Sequence, residues 1–258
     1  MKTKLVYFDG NFNCDGILAC IGEFDGVHLG HSSLVETAVA EAKKNGYKSA
    51  MISFFPHPDY VLGRREDEGY LTIEEEKLEI LSKKGVDYLI VMDFSKVCAI
   101  NHEEFYNKYL SKFAGIVAGF DFKFGYRGSG NTAFLKEKFE LCKIIDKVEV
   151  YGKKVGSSDI RDKLVNGNLK IANELLGRPY SLYVKVEEII NGMAHCSIDN
   201  RCFKPKDNEY KCEYIINEWE SCSNTCIIEK TALRMNDNNV SKGDVIKVSL
   251  LECIESGV

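Results

Sequence analysis

The chain has 258 residues, of which 45% are hydrophobic, 28% are charged and only four are proline. This composition excludes a disordered, collagen-like or low-complexity protein, and at about 150 residues per domain the length predicts one to two domains. The formal net charge of -5 argues against a broad polyanion-binding surface, so no nucleic acid partner is expected, although a local phosphate site is compatible with this charge.

From residue 17 to about 180, short apolar runs alternate with helical stretches. The helix that starts near Ser32 stops at Asn45 and Gly46, and Thr72 and Asn101 open two further helices with a Glu three residues later. This alternation predicts an α/β fold with a doubly wound, Rossmann-like parallel sheet whose ligands lie beyond the carboxyl ends of the strands. The predicted strands are Ile17–Ile21, Lys48–Phe55, Val86–Met92, Ile116–Ala118 and Val148–Val150.

After Arg178 and Pro179 the pattern changes to β-branched or alternating segments separated by Asn, Asp and Gly turns. This change predicts a small all-β, barrel-like module. We therefore predict two domains, 1–182 and 183–258. The strands predicted for the second domain are Tyr183–Glu187, Tyr214–Ile216, Cys226–Ile228 and Asp244–Val248.

The chain shows no signal for membrane insertion and none for a disulfide framework. No apolar run approaches the roughly 18 residues needed to span a bilayer, and residues 1–10 lack an apolar signal core, so we expect a cytoplasmic protein. The ten cysteines include no C-x-x-C pair, which favours free thiols buried as small hydrophobes. Zinc is the alternative, at spacings wider than is usual for such sites; its ligands would be Cys202, Cys212, Cys222 and Cys226.

The most informative stretch is residues 21–31, which read IGEFDGVHLGH between a strand and a helix. Gly26 and Gly30 allow a ligand to approach the backbone closely, and His28 and His31 lie where a helix N-terminus attracts phosphate. Two histidines at His-x-Gly-His spacing favour polyphosphate binding over a structural role. Zinc is again the alternative, but the pair has no obvious third ligand nearby.

A second loop enters a helix at residues 154–164, which read KVGSSDIRDKL. Ser157 and Ser158 offer hydroxyls and backbone amides at the helix start, and Lys154 and Arg161 add positive charge. Because Ser and Asp are ordinary helix caps, this motif is weak alone. Together with the histidine pair it predicts a two-sided phosphate clamp.

Residues 21–180 resemble the adenylyltransferase module of bacterial bifunctional FAD synthetases (riboflavin kinase/FMN adenylyltransferase), which belong to the His-x-Gly-His nucleotidyltransferase superfamily. Five motifs in family order make the resemblance specific to this family. These motifs are Gly22–His31, Phe54–Pro58, Gly119–Gly125, Ser157–Ser158 with Ile160–Arg161, and Ala172–Tyr180.

The resemblance implies transfer of the adenylyl group of ATP to FMN, giving FAD and pyrophosphate, with Mg²⁺ entering as MgATP. Such chemistry needs positioning and charge neutralisation more than a covalent nucleophile. The implied catalytic residues are His28, His31, Ser157, Ser158 and Arg161. The implied ATP-side residues are Gly22, Phe24, Asp25, Gly26, Gly30 and Lys154, and the FMN-side residues are Phe54, Pro56, His57, Pro58, Asp121, Phe122, Phe124 and Gly125.

Several of these residues also have ordinary structural interpretations. Phe54, Phe55, Phe122 and Phe124 are equally well explained as core side chains. His57, between two prolines, is as easily a structural turn residue as a ligand.

The chain departs from the family pattern at three site positions and in its C-terminal module. Glu23 replaces the usual Asn, Asp159 the usual Thr and Lys123 the usual Arg, and the two acidic residues are expected to weaken ATP binding. Residues 183–258 contain one proline, Pro205, and no Pro-Thr pair, so riboflavin kinase activity is not expected. The alternatives are a catalytically weakened flavin- or nucleotide-binding protein and a nucleotidyltransferase for another small phosphate ester.

Overall fold

A computed structural model describes residues 2–66, 69–216, 220–236 and 239–254. The chain divides into two compact units. Unit 1 comprises Met1–Glu68 and Glu74–Lys154, and unit 2 comprises Gly69–Ile73 and Val155–Val258. Among the described residues, no helix has both the length and the apolar character that a membrane crossing requires.

The described residues of unit 1 form an α/β arrangement of ten strands and six α-helices. Its strands are β1 Lys4–Tyr7, β2 Ile17–Ile21, β3 Lys48–Phe55, β4 Tyr88–Asp93, β5 Gly115–Gly119, β6 Lys123–Phe124, β7 Gly130–Asn131, β8 Cys142–Ile145, β9 Glu149–Val150 and β10 Lys153–Lys154. Its helices are α1 Leu29–Asn45, α2 Pro58–Val61, α3 Glu74–Lys83, α4 Phe94–Val97, α5 His102–Phe105 and α6 Thr132–Lys138, with a π-helical turn at Tyr106–Leu110 and a 3₁₀ turn at Tyr126–Gly128.

Six of these strands form one parallel sheet in the order β1-β4-β3-β2-β5-β8. All five residues of β2 are buried, which explains its uninterrupted apolar sequence, because a central parallel strand is covered on both faces. Ala19 and Ile21 belong to the hydrophobic core on one face, and Leu18 and Cys20 belong to the core on the other. The predicted parallel α/β sheet is confirmed.

The order of the strands creates a crevice beside β2. From β2 the chain passes through α1 to β3 and β4 on one side, and it later returns with β5 on the other side of β2. Such a reversal leaves an opening beyond the carboxyl ends of the strands, where ligands bind in open α/β sheets. The connections that follow β2, β3 and β5 begin at this edge.

The local signals read from the sequence mark most helix ends correctly. Gly46, at a φ of 72°, ends α1, and Gly85, at 77°, follows α3, as expected for left-handed C-terminal glycines. The Asn101 side chain accepts a hydrogen bond from the Glu104 amide at 2.9 Å and caps α5. The first predicted helix begins at Leu29 rather than Ser32.

Two strands of the sheet escaped prediction, and one predicted strand pairs elsewhere. β1 lies at one edge and carries exposed or half-buried residues, and β8 has only four residues, so neither shows a long apolar run. The segment predicted as a strand at Val148–Val150 forms β9, which pairs antiparallel with β10 outside the main sheet.

Unit 2 combines two helices, α7 Ser157–Val165 and α8 Leu169–Leu176, with a closed antiparallel barrel. The barrel strands are β11 Tyr180–Ile190, β12 Met193–Ile198, β13 Asn208–Ile216, β14 Glu220–Glu229, β15 Ala232–Asn236 and β16 Val245–Ile254. They close in the order β11-β12-β15-β14-β13-β16. The predicted barrel-like module is confirmed, and its first strand begins two residues before the predicted boundary at 182.

Residues 69–73 belong to unit 2 although the chain on both sides of them belongs to unit 1. Tyr70 forms a parallel bridge with Cys202; its amide donates to the Arg201 carbonyl at 2.7 Å, and its carbonyl accepts from the Phe203 amide at 2.8 Å. Arg178, from the last family motif, donates to the Thr72 hydroxyl at 2.7 Å. The predicted division into an adenylyltransferase domain, 1–182, and a β domain, 183–258, stays a prediction.

Candidate active site

His28 and His31 lie at the N-terminus of α1, beyond the carboxyl end of β2. His28 is the N-cap of the helix, and its Nδ1 accepts a hydrogen bond from the His31 amide at 3.3 Å. The two imidazole rings are stacked, with centroids 3.6 Å apart and planes at 19°. Because Nδ1 of His28 is the acceptor, the ring hydrogen of the neutral side chain is on Nε2, which makes Nε2 a donor.

The environment of His31 favours its uncharged form. Burial lowers the pKa of His31 well below its ordinary value of 6.5, and the charges of His28 and two lysines act in the same direction. These lysines are Lys77 and Lys154. A site with two cationic side chains around a neutral imidazole at a helix N-terminus suits an anionic ligand.

The connection between β2 and α1 has an unusual backbone. Phe24 and Val27 adopt positive φ values of 54° and 40° although neither is glycine, and both side chains are buried. Gly26 has a φ of 87°, in the region that favours glycine. Such strained residues persist only where the surrounding structure holds them, and they concentrate at functional sites. The predicted site residues Gly22, Phe24, Asp25, Gly26 and Gly30 lie in this connection or in the first turn of α1.

His57, on the turn after β3, contacts two carboxylates of the β2–α1 connection. Its Nε2 contacts Oε1 of Glu23 and lies 3.8 Å from Oδ2 of Asp25. The side chains of His57 and Asp25 are only 2% and 1% exposed. The structure thus brings together two residues that the sequence assigned to different substrates, namely Asp25 and His57, and adds Glu23.

This cluster has the composition of a metal site but not its hydrogen-bond arrangement. Among the described residues, Glu23, Asp25 and His57 form the only group of three or more His, Cys, Asp or Glu side chains whose ligand atoms lie within 4.8 Å of one another. However, Nδ1 of His57 accepts a hydrogen bond from the Asp59 amide at 3.1 Å, so the ring hydrogen is on Nε2 and occupies the position of the lone pair that a metal ion needs. The cluster therefore does not fit a metal centre.

The cysteines proposed as zinc ligands do not form such a group within the described part of the chain. All ten cysteines are free thiols.

Lys77, on α3, supplies positive charge to the same region. Its side chain is buried, and burial lowers the pKa of its ammonium group, while the carboxylates of Asp25 and Glu23 act in the opposite direction. A buried cation is stable only when it has partners of opposite charge. The two carboxylates therefore face a buried cation as well as the His57 imidazole.

Lys154 and Asp121, predicted to serve different substrates, form an ion pair with each other. The Lys154 ammonium also lies 5.3 Å from the centroid of the Phe120 ring. Both members of the pair are about half exposed, at 49% and 52%. The pair joins the loop after β5 to the β9–β10 hairpin.

The predicted flavin-side aromatics belong to the hydrophobic core of unit 1. Phe124 is buried, and Phe54 and Phe122 pack against the same core as half-buried side chains. Gly125 follows with a φ of 72°, and a Cβ at this position would lie 2.6 Å from the His102 amide nitrogen, so only glycine fits. The core interpretation is supported for these three aromatics and is wrong for Phe55, which ends β3 with half of its surface exposed. Contact of the three aromatics with FMN stays a prediction.

The second predicted phosphate motif lies in unit 2. Ser157 and Ser158 form the start of α7, whose N-cap is Gly156, and Asp159 is in the first turn, where a carboxylate is favourable. Arg161 donates from Nη2 to the Gly69 carbonyl at 3.1 Å. The two-sided clamp, which requires this motif and the histidine pair to act on one ligand, stays a prediction.

Sequence reasoning missed the contacts that organise unit 1. Glu23 was singled out only as an extra negative charge, and neither its contact with His57 nor the buried Lys77 was anticipated. The one available signal was the replacement of the family's usual Asn by Glu23, because a carboxylate beside a phosphate site needs a cation or a hydrogen-bond donor nearby.

Comparisons with known proteins agree with these motifs. Residues 13–159 match the family model for FAD synthetase. The chain is 36% identical over 167 residues to a bifunctional riboflavin kinase/FMN adenylyltransferase of Bacillus subtilis, covering 62% of this chain and 53% of that protein. It is 35% identical over 198 residues to an FAD synthetase of Listeria monocytogenes, covering 72% of this chain and 79% of that protein.

The chain thus spans about half the length of the bifunctional relative from Bacillus subtilis. A solved structure, described as a macrolide-efflux protein from Streptococcus pneumoniae, has a TM-score of 0.88 with 25% sequence identity, covering 99% of this chain and 92% of that one. The family model alone accounts for more than half of the chain, and the chain belongs to the FAD synthetase family.

Proposed function

We propose that this protein transfers the adenylyl group of ATP to FMN, giving FAD and pyrophosphate, and that it does not phosphorylate riboflavin. The observation that carries the proposal is the stacked pair of His28 and His31 at the N-terminus of α1, beyond the carboxyl end of β2. Family membership supports the substrates.

In the proposed reaction a phosphate oxygen of FMN attacks the α-phosphorus of ATP, the bond from that phosphorus to the bridging oxygen breaks, and pyrophosphate leaves. Negative charge accumulates on the leaving oxygens, so the protein needs donors aimed at them. His28 supplies an Nε2 donor whose direction is fixed by its helix-capping bond, and the α1 terminus supplies a favourable dipole. Ser157, Ser158 and Arg161 are proposed to act on the same triphosphate.

Mg²⁺ is proposed to enter with ATP, held by triphosphate oxygens and water, as this cation commonly is. No protein ligand is assigned to it, because the Glu23, Asp25 and His57 cluster does not fit a metal centre. FMN is proposed to bind near the turn at residues 56–58 and the loop at residues 121–125. A cytoplasmic location and the lack of a nucleic acid partner are part of the same proposal.

The lack of kinase activity is proposed from the sequence of the barrel. Residues 183–258 contain no Pro-Thr pair, whereas the resemblance implies such a segment for ATP and Mg²⁺ in the family's kinase module. The closed barrel in unit 2 is compatible with retention of that fold without its motif.

The decisive experiment is chromatography of the purified protein after incubation with FMN, ATP and Mg²⁺. We expect FAD and pyrophosphate, with the His28→Asn variant as control, and no FMN from riboflavin and ATP. If neither protein forms FAD above a reaction without enzyme, the proposed activity is wrong. The second candidate function, suggested by the acidic residues Glu23 and Asp159, is a catalytically weakened flavin- or nucleotide-binding protein. It would then be identified by binding of FMN or ATP in calorimetry with no release of pyrophosphate.

A further inference from the structure

The side chain of Glu23 connects two loops that the proposed function assigns to different substrates. Glu23 lies in the β2–α1 connection, proposed for the ATP phosphates, and His57 lies in the turn after β3, proposed for FMN. Glu23 Oε1 contacts His57 Nε2. The same oxygen is buried and makes no regular hydrogen bond within the described residues, so the contact with His57 is the polar contact that the structure gives it.

The hydrogen of the His57 ring is on the nitrogen that contacts Glu23. Its Nδ1 accepts from the Asp59 amide at 3.1 Å, so the ring hydrogen is on Nε2, the atom that contacts Oε1 of Glu23. With 2% of its side chain exposed, His57 presents little surface to a substrate. Its role is therefore to hold neighbouring groups in place.

The backbone of Glu23 is fastened to the same strand as His57. The Glu23 carbonyl accepts from the Ser53 hydroxyl at 2.7 Å, and the preceding amide, of Gly22, donates to the Ile52 carbonyl at 3.2 Å. Ser53 and Ile52 belong to β3, which leads directly to the His57 turn. Side chain and backbone thus connect the same two segments.

The additional charge of Glu23 is balanced inside unit 1. Lys77 is buried, and the charges of Asp25 and Glu23 favour its ammonium form, while Nε2 of His57 contacts Glu23 and lies 3.8 Å from Asp25. A buried cation and an imidazole nitrogen therefore accompany the two carboxylates, and buried charges persist where they have partners of opposite charge or hydrogen-bond donors.

We propose that Glu23 is a positioning residue that holds His57 through a hydrogen bond from Nε2. By this bond it couples the β2–α1 connection, proposed for the ATP phosphates, to the turn at residues 56–58, proposed for FMN, so that the two move together. This inference rests on the proposed function. Because one substrate then orders the loop that the other substrate needs, binding of an ATP analogue strengthens binding of FMN.

The first test is nuclear magnetic resonance of the full chain labelled with ¹⁵N-histidine. We expect one histidine with a slowly exchanging Hε2, assigned to His57 by its loss in His57→Asn. The signal persists in Glu23→Gln, whose side-chain oxygen still accepts the bond, and exchanges rapidly in Glu23→Ala. A signal unchanged in Glu23→Ala would overturn the proposal. The proposal would also be overturned if Mn²⁺, added without nucleotide, broadened this signal in the wild type but not in Glu23→Ala, because the cluster would then hold a metal ion.

The second test is calorimetric titration of FMN with and without α,β-methylene-ATP, an analogue that cannot transfer its adenylyl group. We expect the analogue to tighten FMN binding at least about fivefold in the wild type, in the usual range of coupling between sites. The factor is retained in Glu23→Gln and in the exposed barrel control Glu213→Ala, and it falls toward one in Glu23→Ala.

Equal coupling in the wild type and in Glu23→Ala would contradict the positioning role even if FAD is formed. If the wild-type protein binds neither FMN nor the analogue, the proposed function and the coupling both fail. The histidine signal then still reports whether Glu23 holds His57.

Discussion

Arg161 lies over the ring of Phe203, with its guanidinium carbon 5.2 Å from the ring centroid. The same guanidinium donates to the Gly69 carbonyl. A residue that the family motif assigns to phosphate therefore also has a structural role in unit 2, where it contacts the β12–β13 connection and the short segment at residues 69–73.

We predict that Arg161→Ala lowers the free energy of unfolding by about 1–3 kcal/mol, because it removes a cation–π contact and a charged hydrogen bond. Urea denaturation measures this change. Phe203→Leu is the control and is expected to lose only the ring contribution, about 0.5–1 kcal/mol. A residue that served phosphate alone would lose activity in Arg161→Ala while the urea midpoint stayed at the wild-type value.

We predict that the two roles of His28 separate in two variants. His28→Asn retains an N-cap oxygen but removes the Nε2 donor, and it is expected to lower the rate of FAD formation about 10²-fold or more at wild-type stability. His28→Ala is expected to lose the same activity and, in addition, about 1 kcal/mol of stability. Single-turnover rates and urea midpoints distinguish them. Near wild-type activity in His28→Asn would mean that the imidazole is only a cap.

We predict that His31 makes the fold less stable at acidic pH. Its pKa lies below the ordinary value of 6.5 in the folded chain, so between the two values the unfolded chain binds more protons and stability falls as pH decreases through 6.5. The urea midpoint at pH 7.5 and at pH 5.5 measures the loss. His31→Gln, which cannot titrate, is expected to lose less. Equal losses in both proteins would show that His31 does not contribute.

We predict that Lys154 contributes to ATP affinity and little to stability. Lys154→Ala is expected to raise the KM for ATP roughly tenfold, which corresponds to the loss of one charged contact of about 1.4 kcal/mol. The melting temperature is not expected to change clearly, because the ion pair with Asp121 is half exposed. Asp121→Asn, which releases the lysine, serves as control and is not expected to raise this KM. An unchanged KM in Lys154→Ala would remove Lys154 from the site.

Sequence patterns were sufficient for the elements that depend on local chemistry. The buried run at Ile17–Ile21, the left-handed Gly46 and the Asn101 cap are determined within a few residues, and each was predicted. The histidine pair could also be found, because its spacing and its place before a helix lie within one segment.

Contacts between distant segments could not be found in this way. The contact between Glu23 and His57 joins residues that are adjacent only because β2 and β3 pair in register, and the ion pair of Asp121 with Lys154 depends on how a hairpin folds back. The bridge from Tyr70 to Cys202 spans more than half of the chain. None of these partners has a local pattern that specifies the other.

The contribution of residues 69–73 to unit 2 limits how this protein can be divided for experiments. The polypeptide passes between the two units at residues 68–69, 73–74 and 154–155, so no single cut yields both units whole. A fragment that starts at Val155 lacks the segment that contains Tyr70 and Thr72, and a fragment that ends at Lys154 carries that segment without its pairing partners. A fragment meant to isolate the barrel therefore needs residues 69–73 supplied as a linked or added peptide.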